Sequence, residues 1–204
     1  MVKNEKDQST EERILKAAKK VFVSRGLSGA RMQDIADEAG INKALLHYYF
    51  RNKEKLFEAI FTELFTALFP RIKNIFESDL PLFDKIERFC SEYIDYLLQY
   101  PYAPIFVLNE IHQRPEWFAK KALKGSLVSL DKLIEQITSE IKAGRIIPIH
   151  PIQLIMHMLS LCIFPFIGKP MLASVMEINE TTFFSLMESR KKEVPKFIIG
   201  SIKK

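Results

Sequence analysis

Apolar residues recur at helical spacing along most of the chain. Ile14, Ala17, Ala18, Val21 and Phe22 fall at i, i+3, i+4, i+7 and i+8, and Met32, Ile35, Ala36 and Ala39 repeat the first four of those positions. A longer stripe, Phe57, Ile60, Phe61, Leu64, Phe65 and Leu68, keeps helical period and resumes at Ile72, Ile75 and Phe76 beyond Pro70, which is expected to kink or end that helix. From Pro81 onward the prolines fall between periodic segments, and Pro81, Pro104, Pro115 and Pro151 each suit a first helical turn. The pattern predicts helices over about 81–99, 103–113, 115–143 and 151–164, a short piece near 170–176, and a last helix from about 180 that bends at Pro195. Strand signals are nearly absent, since Ile146–Ile149 is brief and holds Pro148, which favours a connector. The expected fold class is all-α.

Punctuation between the first segments adds detail. Ser9-Thr10-Glu11-Glu12 reads as a capping box opening the first helix, and Gly26 as its stop. Gly40 offers the positive φ that ends the second helix, and Asn42 offers an oxygen to cap a third from Lys43. Two short helices joined this tightly make a helix-turn-helix over Arg31–Lys53, a unit that presents the start of its second helix to base edges in the major groove. Residues 1–50 are therefore expected to form a three-helix DNA-binding head. Asn52-Lys53-Glu54 starts a long fourth helix that leads into a larger helical body, residues 51–204.

The chain has 204 residues and is 48% hydrophobic, enough for a core that needs no staples. Its two cysteines, Cys90 and Cys162, are far apart in sequence, and neither they nor the four histidines show metal-ligand spacing. No metal, cofactor or disulfide is expected, and the usage fits a reducing cytoplasm. The start of the chain is charged and polar, unlike a signal peptide, and the most apolar run, Leu154–Ile167, holds His157, Ser160 and Pro165 and is too short to span a bilayer, so no membrane partner is expected. Residues 1–53 carry 11 Lys and Arg against 7 Asp and Glu, whereas the rest carries 19 against 18. A basic first quarter on a nearly neutral body suits a polyanion at one end only. The chain contains no GxSxG, P-loop, GxGxxG or HExxH motif, so no catalytic residue is nominated and an enzyme is not expected.

Within the third helix, Leu45 or Leu46 can pack inward with Phe50, while Lys43, Ala44, His47 and Tyr48 project outward. Polar-tipped aromatics beside lysines suit phosphate and base contacts, and Ala44 is small enough to approach a thymine methyl. Further on, Phe89, Tyr93, Tyr96 and Tyr100 form an aromatic stripe on the fifth helix. Core packing is one reading of it. The other is the wall of a ligand cavity closed by Phe106, Asn109, Glu110 and Trp117, since buried tyrosine hydroxyls need partners. Gln153, His157 and Ser160 make a narrow polar stripe on an otherwise apolar helix, as expected at a subunit interface, with the last helix (Phe183, Phe184, Leu186, Met187, Phe197, Ile198) as its companion.

The segment ILKAAKKVFVSRGLSGARMQDIADEAGINKALLHYYFRNKEKL, residues 14–56, resembles the DNA-binding head of TetR-type transcriptional regulators through the spacing of Ala17, Phe22, Gly26, Ile35, Ala36, Gly40, Leu46, Tyr49, Phe50, Lys53 and Leu56. The resemblance implies that Lys43, Ala44 and Tyr48 read bases, that His47, Tyr49 and Lys53 hold phosphates, and that Met32 and Gln33 approach DNA. His47 stands where a tyrosine is usual in that family, and Met32 where a hydroxyl residue is common. It further implies a small-molecule effector in the body, near Tyr93, Tyr96, Phe106, Asn109 and Trp117, and a homodimer joined by two helices from each subunit. The implied function is a ligand-responsive, sequence-specific regulator, most often a repressor released from a pseudo-palindromic double-stranded DNA operator. The alternative is a small-molecule-binding helical protein whose head no longer binds DNA.

Overall fold

The computed structural model describes residues 5–116 and 129–204, and among them the chain forms ten α-helices and no strand. They are α1 (Glu5–Gly29), α2 (Met32–Ala39), α3 (Lys43–Tyr49), α4 (Lys53–Glu77), α5 (Leu82–Gln99), α6 (Ala103–Gln113), α7 (Asp131–Lys142), α8 (Pro151–Ile167), α9 (Lys169–Val175) and α10 (Glu180–Ile202). The run near Ile146 is a connector, as its proline implies, with a lone antiparallel bridge from Ile146 to Lys203. The chain divides into two compact units, Met1–Thr66 with Ile105–Ala119, and Ala67–Pro104 with Lys120–Lys204.

In the first unit, the stripe of α1 is buried throughout, with Ile14, Ala18 and Phe22 at 1% exposure or less. Phe57 of α4 sits among these side chains. Its ring meets Phe22 edge-on at 5.4 Å, stacks on Phe106 at 4.6 Å and on Phe61 at 6.3 Å, and lies 5.1 Å from the Arg114 guanidinium carbon. Arg114 also donates from Nε (2.7 Å) and Nη2 to the Glu110 carboxylate, which is buried in this core. A buried carboxylate is tolerable only when paired in this way.

Four sequence expectations are corrected or narrowed. Helix α1 starts at Glu5, so Ser9 lies inside it and does not cap it. Gly26 does interrupt α1, at φ 64° and ψ 175°, a region essentially reserved for glycine, but one more turn follows to Gly29. Helix α4 continues through Pro70 to Glu77. The single helix expected over 115–143 is not continuous. Ser129 and Leu130 are non-helical, and α7 starts only at Asp131. The Ser129 hydroxyl donates to the Asp131 carboxylate (2.8 Å) and accepts from its backbone N–H (3.3 Å), a local alternative to helical bonding.

In the second unit, α5 packs on α10 and α8. Lys85 is buried on α5, and its Nζ donates to Phe76 O (3.0 Å) at the end of α4, where burial pushes its pKa down. Cys90 and Cys162 are free and buried, and the Cys90 thiol is pushed up by its hydrogen bond with Cys162 and by burial. Pro165 has no N–H, so the carbonyl of Leu161, four residues earlier, loses its helical donor. Arg190 of α10 replaces that donor with Nε (3.1 Å) and Nη2 (3.0 Å). Helix α10 runs on through Pro195 to Ile202.

Candidate nucleic-acid interface

The turn between α2 and α3 is built as its residues dictate. Gly40 takes φ 63° and ψ 40°, its N–H reaching Asp37 O (3.1 Å), and Ile41 N reaches back to Ala36 O (3.0 Å), which closes α2. Arg13 of α1 donates to Ala39 O (2.7 Å), tying the turn to the rest of the unit. Asn42 Oδ1 accepts from Leu45 N (2.7 Å) and caps α3. Two ion pairs hold α2 on α1, Lys20 with Glu38 (2.7 Å) and Arg25 with Asp34 (2.6 Å).

On this frame α3 buries Leu46 and Phe50 and leaves Lys43, Ala44, His47 and Tyr48 exposed, with Tyr48 at 81%. Between the two leucines the choice falls on Leu46, and Leu45 is 37% exposed beside the outward residues. Tyr49 is half-buried, its ring edge-on to Tyr48 at 5.4 Å. Gln33 is exposed on α2 with its amide donating to Asp37 (2.7 Å), while Met32 is half-buried. His47 is tied through Nδ1 to the carbonyl of Arg51 (3.0 Å).

Lys53 is placed differently from the others. Its Nζ donates to Leu27 O (3.0 Å), Ser28 O (3.3 Å) and Ala30 O (3.2 Å), so the ammonium faces the end of α1. Two cations that the spacing argument passed over, Arg31 and Arg51, are exposed, one capping α2 and one just after α3. Their signal was a charge flanking each short helix, which periodicity ignores.

Of the residues expected at an effector, Tyr93 and Tyr96 come together on α5 with ring centroids 6.5 Å apart. They belong to a ladder from Phe76 through Phe89 to Tyr100, in which Phe89 and Tyr96 are buried and Tyr93 and Tyr100 are half-buried. Burial pushes the Tyr93 hydroxyl's pKa up. Phe106 is in the core of the first unit against Phe57, and Asn109 is half-buried in that unit. Trp117 lies outside the described residues.

Helices α8 and α10 leave apolar side chains uncovered, namely Ile152, Met156, Leu159 and Phe164 on one and Phe184, Leu186 and Phe197 on the other. A groove of about 310 Å³ runs between them, lined by Leu161, Arg190, Glu193, Val194 and Phe197. Gln153, His157 and Ser160 are exposed on α8. Among the described residues no single helix is long and apolar enough to cross a membrane; α8 and α9 reach that composition only as a pair bent by 67°.

The fold and this face define an all-α protein with an N-terminal helix-turn-helix. The family model for bacterial regulatory proteins of the TetR type matches residues 14–60. The chain is 31% identical to the HTH-type transcriptional regulator RutR of Escherichia coli (strain K12) over 144 residues, 70% of this chain and 66% of RutR. It is 32% identical to the HTH-type transcriptional repressor NicS of Pseudomonas putida over 114 residues, 55% of this chain and 53% of NicS. The matched segments thus span between half and two thirds of those relatives. In fold it is similar to HlyIIR, a hemolysin II transcriptional regulator, with a TM-score of 0.65 and 24% identity over 97% of this chain and 98% of that one. The chain belongs to the TetR family of bacterial regulatory proteins.

Proposed function

We propose that this protein is a sequence-specific DNA-binding transcriptional regulator, a homodimeric repressor released from a pseudo-palindromic operator by a small molecule in the cytoplasm. The observation that carries the reading is the helix-turn-helix whose α3 buries Leu46 and turns Lys43, Ala44, His47 and Tyr48 to solvent. In this reading Lys43, Ala44 and Tyr48 meet base edges, while Gln33, Tyr49 and the exposed Arg31 and Arg51 stand near the backbone. The names of RutR and NicS, a regulator and a repressor, support it.

Each head takes one half-site, so the two α3 helices must lie about 34–36 Å apart or a multiple of it. The apolar faces of α8 and α10 supply the subunit contact, and the half-buried rings of Tyr93 and Tyr100 offer an effector an aromatic wall. Helices α4 and α6 each carry residues of both units, so each is a covalent route from one to the other. An effector that prefers a conformation with another head spacing weakens operator binding by the same coupling energy, typically ~1–3 kcal/mol.

The test is selection from a randomised duplex pool with the full-length protein, followed by anisotropy titration of the winners. A two-fold symmetric site should emerge, and Tyr48→Ala should flatten the preference at one base position of each half-site by about 1–3 kcal/mol. A pool that stays random after selection would contradict the reading. Lys53 has a positioning role here, because its three donors are spent on carbonyls at and just past the end of α1. Lys53→Met should lower the stability of the first unit by about 1–3 kcal/mol in urea unfolding, yet leave the dependence of log K on log salt unchanged. A slope lower by about one would instead place the ammonium on a phosphate.

A further inference from the structure

We propose that His47 reads an exocyclic amine of a base, adenine N6 or cytosine N4, and does not hold a phosphate. The inference rests on the DNA-binding role argued above and assigns the chemistry of one contact within it. The Nδ1 of His47 is 3.0 Å from the carbonyl oxygen of Arg51. A carbonyl only accepts, so Nδ1 carries the proton, and the neutral ring keeps a bare lone pair on Nε2. The side chain is exposed, and Nε2 has no hydrogen-bond partner among the described residues.

That lone pair decides what the ring can meet on DNA. Phosphate oxygens are acceptors, and two acceptors face to face repel. The major groove offers only two donors, the amino groups of adenine and cytosine. His47 lies four residues after Lys43 and three after Ala44, on the helical face that those base-reading candidates share. A tyrosine at this place would bring a hydroxyl donor to phosphate, whereas the tethered imidazole can donate outward only after taking a second proton.

The charged residues around it do not change this assignment. Lys43 and Arg51, one helical turn to either side, are cations. On α2, Asp34 is held by Arg25 and the Arg31 N–H, Asp37 by Gln33, and Glu38 by Lys20. On α4, Lys53 is turned to the carbonyls at the end of α1, and Glu54 sits in the first turn.

The experiment selects duplexes from a randomised pool with full-length wild type, His47→Ala and His47→Lys at neutral pH. The wild type should show one half-site position restricted to adenine or cytosine by about tenfold. His47→Ala should lose that restriction, and His47→Lys, a donor only, should move it to guanine, whose N7 and O6 accept. The assignment is overturned if the restriction survives in His47→Ala, if the wild-type position selects guanine, or if His47→Ala lowers the salt slope at neutral pH by about one, the mark of a lost phosphate contact. A pool that no variant enriches would overturn the DNA-binding role itself and this assignment with it.

Discussion

Phe57→Ala should destabilise the first unit by about 3–5 kcal/mol, the cost of removing a fully buried aromatic ring. The ring is 1% exposed and meets Phe22 of α1, Phe61 of α4, Phe106 of α6 and the guanidinium of Arg114. Deleting it opens a cavity at the point where three helices meet. It also removes the ring over which the Arg114 guanidinium lies, so part of the loss should come from that cation–π contact. Urea unfolding followed by helical circular dichroism measures the change, and Phe57→Leu should recover more than half of it. A loss below about 1 kcal/mol would mean that the helices collapse around the gap. With a typical domain stability of about 5–15 kcal/mol, the alanine variant should also fail to hold the α2–α3 turn near physiological temperature, and operator binding should fall with folding.

Phe197→Glu should convert the proposed dimer to monomer and weaken binding to its two-fold site by about 10²–10⁴-fold, the range lost when two linked binding events become separate ones. Phe197 is 68% exposed beside a groove it lines with Leu161, Arg190, Glu193 and Val194. Leu159 and Met156 of α8 and Leu186 of α10 are also large, apolar and exposed, at 38–46%. In an isologous contact each subunit presents this patch to its own copy, so a new charge is buried twice. Because the side chain points away from the core, melting of the isolated subunit should change little. Sedimentation velocity and anisotropy on full and half sites read the two effects. A dimer of undiminished affinity would place the interface elsewhere.

How much was legible in the chain depended on how local the cause was. The α2–α3 turn was readable because each of its parts is a neighbour's chemistry: Gly40 supplies the left-handed residue and Asn42 the capping oxygen, and both act as expected. The all-α class and the buried stripes of α1 and α4 followed from period alone. Ser9 failed as a cap because a capping box is only one of several starts available to a polar stretch, and four helix-tolerant residues preceded it. Choosing Leu46 over Leu45 required the exit direction of α3, which the packing of α1 and α2 sets. The destination of the Lys53 ammonium is set by three carbonyls 23 to 26 residues earlier, which no spacing rule reaches. The effector side was legible only as an aromatic ladder, since which rings stay uncovered depends on helices far apart in sequence.

The proline in α8 has a mechanical meaning. Because Leu161 O receives both of its donors from Arg190, the defect that Pro165 makes in one helix is healed by the other. The guanidinium works as a pin set at one height, and α8 cannot slide along α10 by a turn without exposing a bare carbonyl in a half-buried place. A guanidinium held on a proline's orphaned carbonyl thus fixes the register of one helix against the other and opposes slippage between them.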